Sequence, residues 1–209
     1  KSNFIYNPVF EIHKYKMIKN KFIKKLKILN IGRLTDQKDQ ITMLRSMNLL
    51  KLNKIPFSAN IIGSGKKYKE LKKYIEDMNL QNFVKLSGFK KEAFKYMRFA
   101  NLFILSSKYE GLPNVLIEAQ QMEVPIISTN CPSGPSEILM NGKLGTLVPV
   151  GNFKKLYHEI KSYHLDKKKL INKSKLAKKY LKRFDKTDNC EKYYKLINKH
   201  LKFKKLNEK

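Results

Sequence analysis

Two glutamates stand on either side of an apparent helix start in the run Glu110-Gly111-Leu112-Pro113-Asn114-Val115-Leu116-Ile117-Glu118. Proline suits a first helical turn, because the N–H it lacks would have had no partner inside the helix. Amides from Gly111 through Leu112 and Asn114 to Val115 are then free to point at an anion, helped by the positive end of the helix. Glu118 falls about 7.5 Å beyond Pro113 at 1.5 Å per residue. A nucleoside diphosphate-sugar extends over a comparable distance. One carboxylate can accept from sugar hydroxyls and the other from a ribose diol, with the phosphates between them rather than beside either. An exposed helix position is the plain alternative for Glu118, but the apolar Val115, Leu116 and Ala119 indicate a helix packed closely on a sheet.

Two further groups have the same character. Gly32-Arg33-Leu34 follows an apolar run directly, and Gln37-Lys38 opens the next helical stretch. The glycine permits a tight turn, Arg33 can fork onto phosphate oxygens, and Lys38 adds a compact positive charge. Singly these are surface bases; together at a strand end they favour an anion site. Gly63-Ser64-Gly65 ends the second run in the same way. It lacks the third glycine of a dinucleotide fingerprint and the Gly-Lys-Ser/Thr of a nucleotide-hydrolysing loop. It is either a simple tight turn or a close backbone approach to a ligand. A fourth loop, Cys131-Pro132-Ser133-Gly134-Pro135-Ser136-Glu137, is stiffened by two prolines, with Ser133 or Gly134 as the helix cap. Cys131 has no histidine beside it, which argues against a nucleophilic thiol. The loop reads instead as a wall near the sugar.

The elements that must hold these residues alternate between β-branched runs and amphipathic stretches. The runs are 28–31, 57–62, 83–86, 102–105, 125–128 and 145–148, and the helices are expected at 37–52, 66–78, 91–97, 114–121 and 136–140. Repeated strand-then-helix order is the pattern of an α/β fold, a Rossmann-like three-layer structure around a parallel sheet. In such sheets ligands sit outside the carboxyl ends of the strands, where all four motifs fall. Beyond residue 150 no strand is predicted, and Leu156, Ile160, Tyr163 and then Tyr193, Leu196, Ile197 recur at helical spacing. The organisation expected is a boundary segment at 1–26, a ligand-binding core at 27–150, and flanking helices with a basic tail at 151–209. The lysine-rich end from 199 to 209 is expected to fray.

The 209 residues carry 45 Lys and Arg against 17 Asp and Glu, a formal charge of +28. That surplus invites a nucleic-acid or anionic-membrane partner. It is nearly all lysine, however, spread over polar faces, with arginine confined to Arg33, Arg45, Arg98 and Arg183. Base readers place arginine at defined positions, so a nucleic-acid role is not favoured. Attraction to an anionic membrane surface stays open, and the seven lysines between His13 and Lys27 could serve it or form a solvated connector. No apolar stretch reaches the roughly 20 residues needed to span a bilayer, and no signal peptide stands out. With two unrelated cysteines, the chain reads as cytoplasmic, with possible attachment to the inner face of the membrane. The histidines His13, His158, His164 and His200 lie in the flanks and suggest no metal site. The chain opens on Lys1, and Phe4-Ile5-Tyr6 runs straight into Asn7-Pro8, so an upstream domain is expected to be missing.

Taken together, Asn30-Ile31-Gly32-Arg33-Leu34 with Gln37-Lys38, Ile62-Gly63-Ser64-Gly65, Glu110-Gly111-Leu112-Pro113-Asn114 with Glu118-Ala119, and Gly134-Pro135 with Glu137-Ile138-Leu139 resemble the donor-binding half of retaining GT-B glycosyltransferases of family 4. The motifs occur in the family's order, and the likeness runs from about residue 4 to 199. The resemblance implies two Rossmann-like domains facing across a cleft, the C-terminal one binding the nucleotide-sugar without a metal. It implies that Arg33 and Lys38 hold the diphosphate and that Glu118 binds the ribose hydroxyls. Glu110 with the backbone of Gly111 and Leu112 would contact the sugar and phosphate, and the Ser64-Gly65 turn would lie near the nucleotide. Asn130-Cys131-Pro132-Ser133-Gly134-Pro135 is similar to a loop of surface-glycan enzymes, which points to a UDP-sugar, an N-acetylhexosamine among the candidates. The acceptor would be a glycan or lipid-linked oligosaccharide in capsule or lipopolysaccharide synthesis. Without the N-terminal acceptor-binding domain, the chain is expected to bind donor weakly and transfer little. The competing readings are a non-catalytic nucleotide-sugar-binding module and a GT-B epimerase or phosphorylase.

Overall fold

The computed structural model describes residues 5–6 and 25–207, without the side chains of 202–207. Apart from residues 5–6, the expected boundary segment lies outside the described residues as far as 24, and so does the lysine-rich stretch from 13 to 24. The chain forms two compact units, one of residues 15–178 and one of residues 1–14 with 179–209.

The larger unit is built on six strands, β1 Leu26–Ile31, β2 Phe57–Ile62, β3 Val84–Leu86, β4 Leu102–Leu105, β5 Ile126–Thr129 and β6 Thr146–Val148. They are all parallel, in the order β3-β2-β1-β4-β5-β6. This is the Rossmann-like α/β architecture that the alternation of apolar runs and amphipathic stretches predicts. Strand order reverses between β1 and β4, the position at which open α/β sheets form a crevice outside the strand ends.

Helices α1 Gln40–Leu52, α2 Tyr68–Asp77, α3 Asn114–Gln121, α4 Pro135–Ile138, α5 Phe153–Leu165 and α6 Lys168–Lys179 connect or flank the strands. Leu26, Ile28, Phe57, Ala59, Ile61 and Val84 form one apolar face of the sheet. They pack with Met43, Leu44 and Met47 of α1, Leu71 of α2 and Leu156 and Ile160 of α5 in a single buried core. Strands buried in this way read as continuous hydrophobic runs. Tyr163 of α5 donates its hydroxyl to the Asn101 carbonyl at 2.8 Å, and burial pushes its phenol up to about 12. This bond anchors α5 beneath the start of β4.

Three local features depart from the sequence reading. Residues 37–39 stand outside α1 because Asp39 takes a left-handed conformation (φ 44) and caps the helix, accepting from the Thr42 hydroxyl at 2.7 Å. Gln37 and Lys38 therefore sit in the strand-end loop rather than opening the helix. The stretch expected as a helix at 91–97 is a 3-10 segment, Ala93–Phe99. In the smaller unit, α7 Lys186–Asn207 is helical from 199 to 207, within the stretch that was expected to fray. In that unit Tyr6 meets Phe184 edge-on at 4.7 Å, and the Arg183 guanidinium lies 4.9 Å from the Phe184 ring. Among the described residues, no helix is long and apolar enough to cross a membrane.

Candidate functional site

The crevice at the strand-order reversal is a cleft of about 460 Å³ lined by Gly32, Arg33, Gln37 and Lys38 from the loop after β1, and by Glu110, Leu112, Asn114, Val115 and Glu118 from the loop after β4 and helix α3. Four hydrogen bonds stitch the two loops together. Ser106 Oγ donates to the Lys38 carbonyl at 2.9 Å, the Lys108 amide to the Gln37 carbonyl at 2.8 Å, and Gln37 Nε2 to the Tyr109 carbonyl at 3.1 Å. The fourth is the ion pair of Lys38 Nζ with Glu110 Oε1 at 2.6 Å, whose side chains are only 15% and 6% exposed.

That pair determines how charge is presented. Ser107 Oγ also donates to Glu110 Oε1 at 2.6 Å, so one carboxylate oxygen takes both bonds. No bond to Oε2 is seen among the described residues. Ser107 is itself fully buried, and its carbonyl accepts from Thr129 Oγ1 at 2.6 Å. A carboxylate so tethered keeps a fixed orientation and one open acceptor. The Lys38 stem lies across Gly32, with its carbons 3.6–3.7 Å from where a Cβ would stand. Among the described residues the exposed Arg33 guanidinium is held only by a long 3.4 Å contact to Gln37 Oε1, which leaves it available to an incoming anion.

Helix α3 begins at Asn114 after an extended Pro113 with no side-chain cap. The first amide bonded back is Leu116, to the Pro113 carbonyl at 2.9 Å. The amides of Asn114 and Val115 have no acceptor among the described residues, as a helix start requires unless something else supplies one. Further along, Glu118 is half-buried while Leu116, Ile117, Ala119 and Gln120 are fully buried. Its carboxylate has no hydrogen-bond or ionic partner among the described residues, and burial alone raises its pKa above the ordinary carboxyl value.

Gly63, Ser64 and Gly65 do not line this cleft. A Cβ at Gly63 would stand 1.9 Å from the Gly32 carbonyl oxygen, and one at Gly65 2.4 Å from that of Leu34. The Gly32 amide donates to Ile62 and the Leu34 amide to Ser64, at 3.0 and 2.9 Å. These glycines make a close backbone approach to the chain's own loop after β1, which they hold in place. Gly111 is exposed, and a Cβ there would meet nothing within 4 Å.

Sequence reasoning missed three features of the site. One is the 3-10 segment, whose Ala93 and Phe94, with Lys91 just before it, line the same cleft as Glu118. The mixed polar and apolar run 91–99 gave no pattern to mark that wall. Another is the pairing of Lys38 with Glu110, which are 72 positions apart and reach each other only through strand order. The last is Ser107, legible only as a small residue three before Glu110. Cys131 is 2% exposed, and burial first, then the Glu110 charge, pushes its thiol up. A thiol so placed is a poor nucleophile.

Comparison with known proteins agrees with the fold. The family model for glycosyl transferases group 1 matches residues 12–182. A glycosyltransferase of Methanocaldococcus jannaschii, MJ1059, is 39% identical over 140 residues, which is 63% of this chain and 34% of the relative. An N-acetylgalactosaminyltransferase of Campylobacter jejuni, named for an N-acetylgalactosamine-N,N'-diacetylbacillosaminyl-diphospho-undecaprenol acceptor, is 32% identical over 169 residues, or 81% of this chain and 44% of the relative. Among solved structures, Anabaena Alr3699/HepE in complex with UDP and glucose aligns with a TM-score of 0.81 at 22% identity, over 93% of this chain and 56% of that one. S. aureus TarM, in a mutant complex with Fondaparinux, alpha-GlcNAc-glycerol and UDP, aligns at 0.79 and 22%, over 94% and 38%. The chain spans about a third to less than half of the length of these two sequence relatives. With the family model covering most of its length and a six-stranded parallel sheet shared with GT-B glycosyltransferases, the chain belongs to the glycosyl transferases group 1 family.

Proposed function

We propose that this chain is the donor-binding half of a retaining glycosyltransferase that takes a sugar from a nucleoside diphosphate-sugar, UDP-linked, to a glycan or lipid-linked acceptor. The observation that carries the reading is the charge order along the cleft. Glu110, tethered with one open oxygen, precedes the start of α3; Arg33, Lys38 and two helix amides without an acceptor among the described residues share its cleft; and Glu118, without a partner among the described residues, stands about one turn into α3. A sugar, a diphosphate and a ribose present hydroxyls, negative charge and a diol in that sequence. UDP in the complexes of Alr3699/HepE and TarM supports the nucleotide. The undecaprenol-linked acceptor in the name of the Campylobacter relative, and the amylovoran pathway of another, support surface-polysaccharide synthesis.

In the reaction proposed, the bond between the anomeric carbon and the diphosphate oxygen breaks and its electron pair leaves on the diphosphate. The acceptor hydroxyl bonds to the same face of that carbon and passes its proton to the departing diphosphate. Negative charge therefore grows where Arg33, Lys38 and the start of α3 converge, and stabilisation there counts most toward rate. Glu110 Oε2 orients the sugar through its hydroxyls, and Glu118 holds the ribose. An acceptor-binding domain upstream of this chain completes the site. The lysine excess, +28 overall, suits residence on an anionic membrane face.

Titrating the chain with UDP, UDP-glucose, UDP-N-acetylglucosamine, GDP and a short RNA at two salt concentrations tests this reading. Saturable UDP binding, with RNA binding weak and abolished by salt, is expected. Tight, salt-sensitive RNA binding without a response to UDP contradicts it.

A further inference from the structure

The loop after β5 does not line the cleft, yet it is built against the strip of chain that does. Ser133 and Gly134 are consecutive residues with positive φ, 55 and 73. Non-glycine residues adopt this conformation at a cost and hold it where the surroundings demand it. Gly134 packs so tightly that a Cβ there would stand 2.0 Å from the Gly111 carbonyl oxygen and 2.6 Å from Pro113 Cδ. The Ser133 hydroxyl has one proton to share between the Glu110 carbonyl at 2.8 Å and the Pro132 carbonyl at 2.9 Å. Glu110, Gly111 and Pro113 are thus each touched by this two-residue turn.

The turn is firmly carried in its own right. Cys131 before it is buried, and Pro135 after it opens α4, whose Ile138 carbonyl accepts from the fully buried Gln120 Nε2 of α3 at 3.1 Å. The strip 110–113 is held on one side by Lys38 and Ser107 and on the other by Ser133 and Gly134.

We propose that Ser133 and Gly134 are positioning residues for the diphosphate and sugar end of the cleft. Without touching donor, they set the carbonyls of Glu110 and Gly111, and through Pro113 the direction of the free amides of Asn114 and Val115. This rests on the donor-binding reading of the cleft. It adds that the loop, through its contacts with residues 110–113 and without touching donor, governs how tightly phosphate oxygens are held, because sites of this kind depend on placement to within about 1 Å.

The test compares wild type, Gly134→Ala, Ser133→Gly and Gly151→Ala by calorimetric titration with UDP, uridine and inorganic pyrophosphate, with thermal melts as a check on folding. Gly151 has nearly the same φ as Gly134, 71, but a Cβ there would meet nothing within 4 Å, so its alanine variant carries the backbone cost without the buttress. Gly134→Ala should weaken UDP and pyrophosphate binding by about tenfold or more while uridine binding holds, and Gly151→Ala should match wild type. Ser133→Gly keeps the conformation and loses only the hydroxyl contact, so a smaller loss confined to the phosphate-bearing ligands is expected. If Gly134→Ala fails to fold, Ser133→Gly decides. Unchanged UDP affinity in a folded Gly134→Ala, or an equal loss in Gly151→Ala, overturns the positioning role. Absence of UDP and pyrophosphate binding by the wild type overturns the donor reading itself, and this proposal with it.

Discussion

Glu118 is the residue at which folding and function pull apart most clearly. Burial raises its pKa, and no cation among the described residues offsets the cost. Because the folded pKa lies above the ordinary carboxyl value of 4.5, the native state holds the proton more tightly than the unfolded chain does. Stability therefore falls as pH rises from about 4.5 through the raised native value, and the penalty is fully present at neutral pH. Glu118→Gln should accordingly melt at a higher temperature than wild type at pH 7, with the difference vanishing below pH of about 4. The same substitution removes a charged acceptor for the ribose, so UDP affinity in wild type should decline on mild acidification while that of Glu118→Gln stays comparatively flat. Equal melting temperatures at pH 7, or a pH profile shared by both proteins, would show that this carboxylate is neither strained nor used. Sequence alone marked Glu118 through its distance from Pro113 and its apolar neighbours. It could not reveal that the carboxylate lacks a partner, since that depends on every element facing it.

At the scale of elements, strand-end loops brace one another in sequence: the loop after β2 supports the loop after β1, and the loop after β5 supports the loop after β4. Gly63→Ala tests the first brace. Its Cβ would meet the Gly32 oxygen at 1.9 Å, and forcing the backbone apart should cost about 2–3 kcal/mol in urea denaturation while shifting Arg33 enough to weaken UDP binding. Stability within about 0.5 kcal/mol of wild type would mean that the loop yields without consequence. The strands were legible in the sequence because short apolar runs stand out between the longer amphipathic stretches, as the fully buried 102–105 and the alternately buried 57–62 illustrate. The departure at 37–39 was not legible, because a left-handed Asp39 looks the same in sequence as an aspartate in a first helical turn. The 3-10 segment from Ala93 escaped for a related reason. Its residues suit a helix well enough, and only packing selects the tighter winding. The ion pair of Lys38 with Glu110 follows from β1 and β4 being neighbours, a fact of topology that neither loop declares.

For the whole molecule, the central proposal divides labour between this chain and a domain that presents the acceptor. In the cleft proposed for the donor, Arg33 is exposed and the Asn114 and Val115 amides have no acceptor among the described residues. The chain alone should therefore bind UDP-sugar yet release free sugar or glycosylated product no faster than the buffer control. When it is assembled with an acceptor-binding half, the product should keep the anomeric configuration of the donor by proton NMR. Robust turnover by the 209 residues alone would contradict that division.

The most direct measurement of the central claim is UDP affinity in wild type, Arg33→Ala and Glu118→Ala, taken side by side at neutral pH and moderate salt. Each side chain is placed to make hydrogen bonds to or from a charged group, so each variant should bind about 10- to 100-fold more weakly while remaining folded. Three folded proteins with the same UDP affinity would contradict the account.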